Sequence, residues 1–357
     1  MSIIFAILIF CVIVVAHEFG HLLVAKANGI NVKEFWVGFG PTLFSFTPKQ
    51  RSKKNSELSP TKYCVKLIPL GGACVFEEDY ADEDYVPSEH SFVQASVKSR
   101  ILTVLAGPCF NFILAFLLSI IVLGLSGYTT TELVSVNEGS PAEAAGLEAG
   151  DVIVKMDRER VHLYEEIILN TQFNNGTEVK ITYERDGVPH EVYITPEYSE
   201  EAGRYLFGIV GGLQDEKQTF FSTLRYSVYY VNFWIKNVYK SLAAMVTGRV
   251  SLNDMSGIVG VTAAVDNVYN EAKSYGALIV LLNMLNIAVL LSANLGVVNL
   301  LPIPGLDGGK LLLYIVEVFR RKPIDQQLEG KLSLVGFALI MVLTVVIMYN
   351  DIWKLFH

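Results

Sequence analysis

Charged side chains are scarce in this sequence, and four long stretches have almost none. Of the 357 residues, 18% are Asp, Glu, Lys or Arg, while 52% are hydrophobic. The apolar stretches are residues 2–25, 101–125, 276–301 and 332–349. Each of them reaches or approaches the roughly 20 residues that cross a bilayer core. This scarcity excludes an ordinary soluble composition and predicts a polytopic α-helical membrane protein with four transmembrane helices.

Excess positive charge and paired cysteines are missing as well. The net charge of −8 gives no basis for a nucleic-acid partner, and we expect none. The four cysteines form no Cys-x-x-Cys pair, so we expect reduced thiols. The first apolar stretch lacks the basic start and the cleavage site of a signal peptide, so we expect it in the mature protein.

The distribution of lysine and arginine predicts the orientation in the membrane. Residues 26–100 contain ten of these side chains, and residues 304–331 contain five. Loops rich in Lys and Arg face the cytoplasm, which places both loops on that side. Residues 126–275 and both chain ends are then expected outside. The ends of the first and third spans meet on the cytoplasmic side.

The long external segment predicts a small folded domain at residues 127–198. A Gly-Ser-Pro turn precedes a short helix, and Asp186-Gly187 is expected to be the turn of a β-hairpin. This order of elements resembles a circularly permuted PDZ domain, a fold that binds extended peptides by strand addition. The other predicted parts are the first two spans, the post-PDZ region and the last two spans, at residues 1–126, 199–275 and 276–357.

An aromatic segment follows this domain at residues 220–248. It carries Arg225, Lys236 and Lys240 through its middle, so we predict an amphipathic helix on the outer membrane surface. A fifth span is the alternative. It would put the end of the third apolar stretch on the wrong side of the membrane.

The first apolar stretch contains three ionisable residues, His17, Glu18 and His21. Such a side chain within a membrane helix costs about 2.5–3.5 kcal/mol even on a lenient scale, which favours a functional role. Histidines four residues apart share one helix face and suit two ligands of a Zn²⁺ ion. Glu18 would then take a proton from metal-bound water. The alternative is a polar contact between two helices.

A third zinc ligand is expected, because catalytic zinc sites usually have three protein ligands and water. Asp307 is the only acid in "NLLPIPGLDGG", residues 299–309, at the cytoplasmic end of the third stretch. An acid on irregular backbone at membrane depth is tolerated only where it faces protein or a watery cavity. The alternative is that Asp307 caps the following helix. Its pairing with the histidine motif favours the ligand.

With these motifs the sequence resembles the site-2 intramembrane metalloproteases of peptidase family M50, specifically the bacterial regulator-of-sigma-E protease type with a single PDZ domain. The resemblance covers essentially the whole chain, and its motifs occur in the family's order. They are "HEFGHLLVA", "GFG", "KLIPLGGACVF", "AGPCFN" and "NLLPIPGLDGG". The resemblance implies that His17, His21 and Asp307 bind Zn²⁺ and that Glu18 is the catalytic glutamate.

The resemblance also implies a substrate-binding region. Asn299 would position the substrate or stabilise the oxyanion. The stretch "YCVKLIPLGGACVF" would be a membrane-associated β-hairpin that pairs with an unwound substrate strand, with Leu70, Gly71 and Gly72 at the binding site. A transmembrane substrate must be unwound before its backbone can find new partners, and a strand edge supplies them. A plain hairpin turn at the two glycines is the alternative.

The implied reaction is hydrolysis of peptide bonds within transmembrane segments of single-pass proteins. Expected substrates are anti-sigma factors already trimmed by another protease, or remnant signal peptides, in the lipid bilayer of a bacterial cytoplasmic membrane. The active site would face the cytoplasmic side, and the external PDZ domain would act as a gate. One alternative is a catalytically inactive, membrane-anchored PDZ scaffold, which would be expected to have lost Glu18 or a ligand. A zinc transporter would need neither Glu18 nor a peptide-binding domain.

Overall fold

A computed structural model of the chain describes residues 2–48, 58–77, 87–212, 218–249 and 257–356. The elements of the described residues, in chain order, are α1 (Ser2–Ala27), β1 (Val32–Phe46), β2 (Lys62–Phe76), α2 (Val97–Ser126), β3 (Leu133–Val136), α3 (Pro141–Ala144), β4 (Val152–Met156), β5 (Glu159–Arg160), α4 (Tyr164–Gln172), β6 (Val179–Arg185), β7 (Val188–Ile194), β8 (Glu197–Ser199), β9 (Arg204–Leu206), β10 (Ile209–Gly211), α5 (Phe220–Val246), α6 (Ile258–Ala272), α7 (Ala277–Asn299), α8 (Asp307–Arg320) and α9 (Gln326–Phe356).

Four of the described helices are long and apolar enough to cross a membrane, which confirms the predicted number of spans. They are α1, α2, α7 and α9. Helices α2 and α9 begin before and end after the apolar stretches that predicted them. The flanking Lys98 and Arg100 belong to a residue class with high helix propensity, so α2 begins before the hydropathy rises. Hydropathy therefore predicts the membrane-spanning part of a helix and not its ends.

Contacts divide the chain into two units, residues 1–118 with 251–357 and residues 119–250. In the first unit, one buried apolar cluster joins the start of α1 to α6 and α7 and includes Ile13. A second cluster joins the end of α1 to β1, α2 and α8 and includes Leu22. The segment of α1 between these two residues carries the histidine motif, so packing on both sides holds it in place.

Strands β1 and β2 form a two-stranded antiparallel sheet in the first unit. The start of β1 pairs with the end of β2, as in Phe35 beside Cys74, and the end of β1 pairs with the start of β2, as in Phe46 beside Tyr63. The stretch predicted as a hairpin is assigned as one strand, and both of its ends pair with the same part of β1, since Phe35 lies beside Cys74 and also beside Tyr63. The hairpin stays a prediction. Its pairing with β1 was not predicted, because the partner strand lies far away in sequence and local alternation does not identify such a partner.

The second unit contains an α+β domain. Its four-stranded antiparallel sheet has the order β5-β4-β6-β7, and β10 pairs separately with β3. Asp186 and Gly187 both have positive φ, 53° and 77°, as a tight two-residue hairpin turn requires. The predicted hairpin of β6 and β7 is therefore confirmed. A single buried cluster that includes Ile153, Ile181 and Phe207 forms the core of the domain.

Helix α5 belongs to this second unit and contacts the α+β domain. Lys236 Nζ donates a hydrogen bond to Glu166 Oε1 at 2.8 Å. The rings of His162 and Tyr229 stack with their centroids 3.8 Å apart. Helix α5 is not among the candidate spans of the described residues. Its location on a membrane surface stays a prediction.

Candidate active site

Two histidines lie one turn apart on α1. His17 and His21 are 7% and 9% exposed, and their Nε2 atoms are 3.2 Å apart. Residues four apart share one helix face, so the spacing alone brings both rings to the same side of α1. The pair therefore presents two nitrogen atoms to one point inside the first unit.

The segment after α7 turns the chain back towards this point. Helix α7 ends at Asn299, and Pro302 and Pro304 lack the N–H groups that would continue it. Gly305 has a φ of 93°, a backbone conformation that glycine adopts without strain. Helix α8 then begins with Asp307. The irregular segment predicted from these prolines is present, and it carries an acid into the first unit.

Asp307 meets both histidines. Its Oδ2 atom lies 3.1 Å from Nε2 of His17 and 3.3 Å from Nε2 of His21. This oxygen is buried and makes no hydrogen bond among the described residues. Leu306 is the N-cap of α8, and no side chain caps that helix. The structure therefore gives no support to a capping role for Asp307.

These three atoms fit the geometry of a zinc site. In a tetrahedral site with bonds of about 2.0–2.1 Å, neighbouring ligand atoms lie about 3.3–3.4 Å apart. The measured separations of 3.1, 3.2 and 3.3 Å are close to that spacing.

Glu18 lies on the same cavity as the three ligand atoms. This cavity has a volume of about 390 Å³, and its walls include Glu18, Asn299 and Cys74. The backbone N–H of Cys74 donates a hydrogen bond to Glu18 Oε2 at 2.8 Å. Strand β2 therefore fixes the carboxylate from one side, and the other carboxylate oxygen remains available to a reacting group.

One predicted substrate-binding residue, Asn299, lines this cavity, and another, Gly72, lies beside Glu18. Nδ2 of Asn299 lies 3.4 Å from His17 Nε2, so its carboxamide reaches the ligand cluster. A Cβ added to Gly72 would lie 3.5 Å from Cγ of Glu18 and 3.0 Å from the carbonyl oxygen of Trp36. Gly72 thus marks a close approach between β2 and the backbone of β1, and Glu18 of α1 is at ordinary contact distance.

The other two predicted substrate-binding residues are not brought to the cavity by the described contacts. Gly71 has a φ of 78°, and the ring of Phe39 occupies the space that its side chain would need. This glycine is explained by its backbone conformation and by Phe39. Leu70 belongs to β2, but its side chain lies outside the described part of the chain.

The sequence motifs gave no individual role to the residues of α2 that contact the histidines. The carbonyl oxygen of Thr103 lies 2.8 Å from His21 Nδ1, and the carboxamide of Asn111 lies 3.2 Å from His17 Nδ1. Gly107 lies between them, and a side chain there would collide with both imidazole rings. A polar Asn within an uncharged span was the available signal, because such residues usually face the interior of a helix bundle.

Comparisons with known proteins identify the family to which the chain belongs. A sequence profile of peptidase family M50 matches residues 5–343. The chain is 30% identical over 434 residues to the zinc metalloprotease RasP of Geobacillus kaustophilus, with 99% of this chain and 98% of that one covered. It is 28% identical over 430 residues to the regulator of sigma-W protease RasP of Bacillus subtilis, with 98% of each chain covered.

Among solved structures, the PDZ domain of the SdrC-like protein from Listeria monocytogenes is 27% identical to the chain where the two match. The match covers 24% of this chain and 88% of that one, with a TM-score of 0.22.

Proposed function

The chain belongs to peptidase family M50 as an intramembrane zinc metalloprotease of the site-2 type, and we propose that the cavity around His17, Glu18, His21 and Asp307 is its active site. The observation that carries this proposal is the triangle of two imidazole nitrogens and one carboxylate oxygen, with separations of 3.1–3.3 Å. Three protein ligands and an open fourth position are typical of catalytic zinc, whereas structural sites have four.

In this proposal His17, His21 and Asp307 hold Zn²⁺. Zn²⁺ held by these residues would supply Lewis acidity, which would polarise the scissile carbonyl and lower the pKa of water to about 7. The three residues come from two helices that are far apart in sequence, α1 and α8. The loop between α7 and α8 therefore decides whether the third ligand reaches the first two.

Glu18 is the proposed general base. Its Oε2 atom accepts the hydrogen bond from Cys74 N–H, which leaves Oε1 to take a proton from the attacking water. The same oxygen then gives the proton to the leaving amide nitrogen. Asn299, whose carboxamide reaches the ligand cluster, is proposed to hold the carbonyl oxygen of the scissile bond.

Strand β2 is proposed to bind the substrate backbone. Cys74 N–H donates to Glu18, so at this residue the edge of β2 faces the active-site cavity. An unwound substrate segment needs partners for its backbone groups, and an exposed strand edge offers them. Gly72 lies beside Glu18 on this strand, and a side chain there would crowd the carbonyl oxygen of Trp36 on β1.

The proposed substrates are transmembrane segments of single-pass membrane proteins. A second cavity of about 460 Å³ lies between α1, α7 and α9 and shares Val14 and Leu295 with the active-site cavity. Its lining is mainly apolar, which suits a membrane segment better than a soluble peptide. Because one relative is named as a regulator of sigma-W protease, trimmed anti-sigma factors are a proposed substrate class, along with remnant signal peptides.

The chain is a multi-pass membrane protein, and we propose the bacterial cytoplasmic membrane as its location. The lysine-rich and arginine-rich loops at residues 26–100 and 304–331 support an active site that opens towards the cytoplasm. The same rule supports an extracytoplasmic location for the α+β domain. The proposed domain boundaries, residues 127–198 for a PDZ domain and 199–275 for the helical region after it, follow from the sequence.

We propose that this PDZ domain excludes bulky substrates and does not capture peptides. Tyr164 OH donates a hydrogen bond to the carbonyl oxygen of Ile209 at 3.2 Å, on the edge of β10 that does not face β3. The Tyr164 ring also fills the space beside Gly211. The edge to which a peptide strand would add is thus occupied by the domain itself. Deletion of residues 131–196 should permit cleavage of an untrimmed substrate, and an untrimmed substrate that stays intact would contradict the gate.

An inactive PDZ scaffold is not favoured, because Glu18 and all three proposed ligands are present. The direct test is cleavage of a tagged, ectodomain-trimmed single-span protein by the purified enzyme in detergent. The glutamine variant Glu18→Gln keeps the shape of the side chain and loses the base. It should cleave about 10²–10⁴ times more slowly while it retains zinc. Equal cleavage by both proteins would exclude Glu18 as the base.

A further inference from the structure

One face of α2 lies against the two histidines of α1. Thr103, Gly107 and Asn111 follow at intervals of four residues, so they share this face. Gly107 leaves the space in which the imidazole rings stand, since a Cβ there would lie 2.7 Å from Cε1 of His17. The polar groups of Thr103 and Asn111 lie above and below that space. The helix therefore offers one polar partner to each histidine.

The proposed metal site decides which proton each histidine carries. The Nε2 atoms of His17 and His21 face Asp307 and each other, so their lone pairs are the ones available to a metal. A neutral imidazole with a free lone pair on Nε2 carries its proton on Nδ1. Each Nδ1 therefore needs a hydrogen-bond acceptor. His21 has one in the carbonyl oxygen of Thr103, at 2.8 Å.

Among the residues that the structure describes, no backbone carbonyl takes the corresponding place beside His17. The group opposite its Nδ1 is the carboxamide of Asn111, at 3.2 Å, with Nδ2 as the nearer atom. Oδ1 of this carboxamide is buried and without a hydrogen bond among the described residues. A half turn of the carboxamide therefore breaks no bond to Oδ1 and brings the oxygen opposite the Nδ1 proton.

We propose that Asn111 is a positioning residue, which orients His17 for zinc binding by accepting a hydrogen bond from Nδ1–H through Oδ1. The inference rests on the proposed zinc site. Asn111 is 0% exposed, so water does not compete for the proton. Partners of this kind fix the tautomer and the ring orientation of a metal-binding histidine and make it a stronger ligand.

A second contact holds Asn111 in place without touching the histidine. Ser292 Oγ on α7 donates a hydrogen bond to the backbone carbonyl oxygen of Asn111 at 2.8 Å. Ser292 is itself 0% exposed. This bond joins α2 to the helix that carries Asn299, and it supplies a matched control. Ser292→Ala removes a buried hydrogen bond at the same residue but leaves the carboxamide in place.

The test measures zinc affinity, by competition with a chromophoric chelator, for the full-length protein in detergent micelles. Asn111→Leu removes the acceptor at similar volume and should weaken zinc binding about 10–100-fold. Asn111→Asp keeps an acceptor oxygen and should stay within about threefold of the wild type or bind more tightly. Ser292→Ala should also stay within about threefold. The visible absorption bands of Co²⁺ in the site should shift in the leucine variant and persist in the other two.

The metal-free thermal midpoint of each variant separates metal affinity from folding. Where the leucine variant does not fold, Asn111→Ala removes the acceptor without adding apolar bulk, and the same weakening is expected. Zinc binding within threefold of wild type by the acceptor-free variants would overturn the proposal, as would equal weakening by Asn111→Asp. A wild type that binds no zinc would overturn the proposed zinc site as well, which distinguishes the two failures.

Discussion

Two aspartates illustrate how the two units use buried charge. In the α+β domain, Asp151 is buried, and its two oxygens accept hydrogen bonds from Arg185 Nε at 2.7 Å and Nη2 at 2.8 Å. The N–H of Glu148 adds a third bond at 2.9 Å. In the first unit, Oδ2 of Asp307 is buried without any hydrogen bond among the described residues.

The two carboxylates differ in whether the protein supplies partners for their buried charge. A buried charge is costly unless it is paired and hydrogen-bonded, and Asp151 meets both conditions within its own domain. Asp307 faces two histidine nitrogens that are themselves lone-pair donors in the neutral state. A cation bound at this point would be a partner for the carboxylate and for both histidine nitrogens. A buried carboxylate with all of its hydrogen-bond partners thus indicates a structural role, whereas a buried group of ligand atoms without such partners indicates a binding site.

A large loss of peptide cleavage is expected when one of two glycines of helix α2 is replaced and not when the other is. Gly107→Ala places a methyl group where the rings of His21 and His17 stand, and it should reduce peptide cleavage about 100-fold, as expected for a displacement of about 1 Å at an active site. Gly124→Ala is the control, because its added Cβ meets only a side-chain atom of Thr223, at 3.9 Å. Cleavage rates in detergent, measured at equal folded fraction, decide between them.

Full activity in Gly107→Ala would mean that α2 does not confine the histidines. Equal loss in both variants would point to helix packing in general and remove the distinction between the site and the rest of α2.

A smaller effect concerns the pH dependence of the α+β domain. Burial opposes the charge of Asp151, but the hydrogen bonds from Arg185 and Glu148 outweigh it and lower the pKa of its carboxyl. A carboxyl with a lowered folded-state pKa stabilises the fold above the unfolded value of about 3.9 and loses this contribution as the pH falls through the folded value. Amide hydrogen exchange in β4 and β6 should therefore accelerate as the pH falls from about 5 to about 3, after correction for the intrinsic exchange rate.

Asp151→Asn removes the titrating group, so the same two strands should show less dependence on pH in that variant. Arg185 is partly exposed, and solvent screening limits the size of the effect. An undiminished pH dependence in Asp151→Asn would assign it to other groups and weaken the contrast with Asp307.

The features that could be recognised in the sequence are those that break a local rule, and the roles of the site residues among them stay a prediction. Ionisable residues in an apolar stretch identified His17, Glu18 and His21, and an acid between prolines and glycines identified Asp307. The Asp186-Gly187 turn needed only local chemistry as well. Long apolar runs predicted four spans for the same reason.

The features that the sequence did not predict depend on contacts between distant segments. The pairing of β2 with β1 is decided by register across a long connection, so no local pattern reports it. Gly107 and Asn111 lie in a recognised motif but acquire individual roles only when α2 packs on the histidine face of α1. Gly71 was expected at the substrate, which stays a prediction, and the structure adds its positive φ and the adjacent ring of Phe39.

We propose that Asp307 completes a metal site, whereas Asp151 completes an ion pair. Zinc affinity in the variants Asp307→Asn and Asp151→Asn, measured side by side in the full-length protein, tests this difference. We expect Asp307→Asn to bind zinc more than about 100-fold less tightly, which exceeds the loss expected for a residue that only hydrogen-bonds to a ligand, and we expect Asp151→Asn to match the wild type. Undiminished zinc binding by Asp307→Asn would contradict the proposed active site.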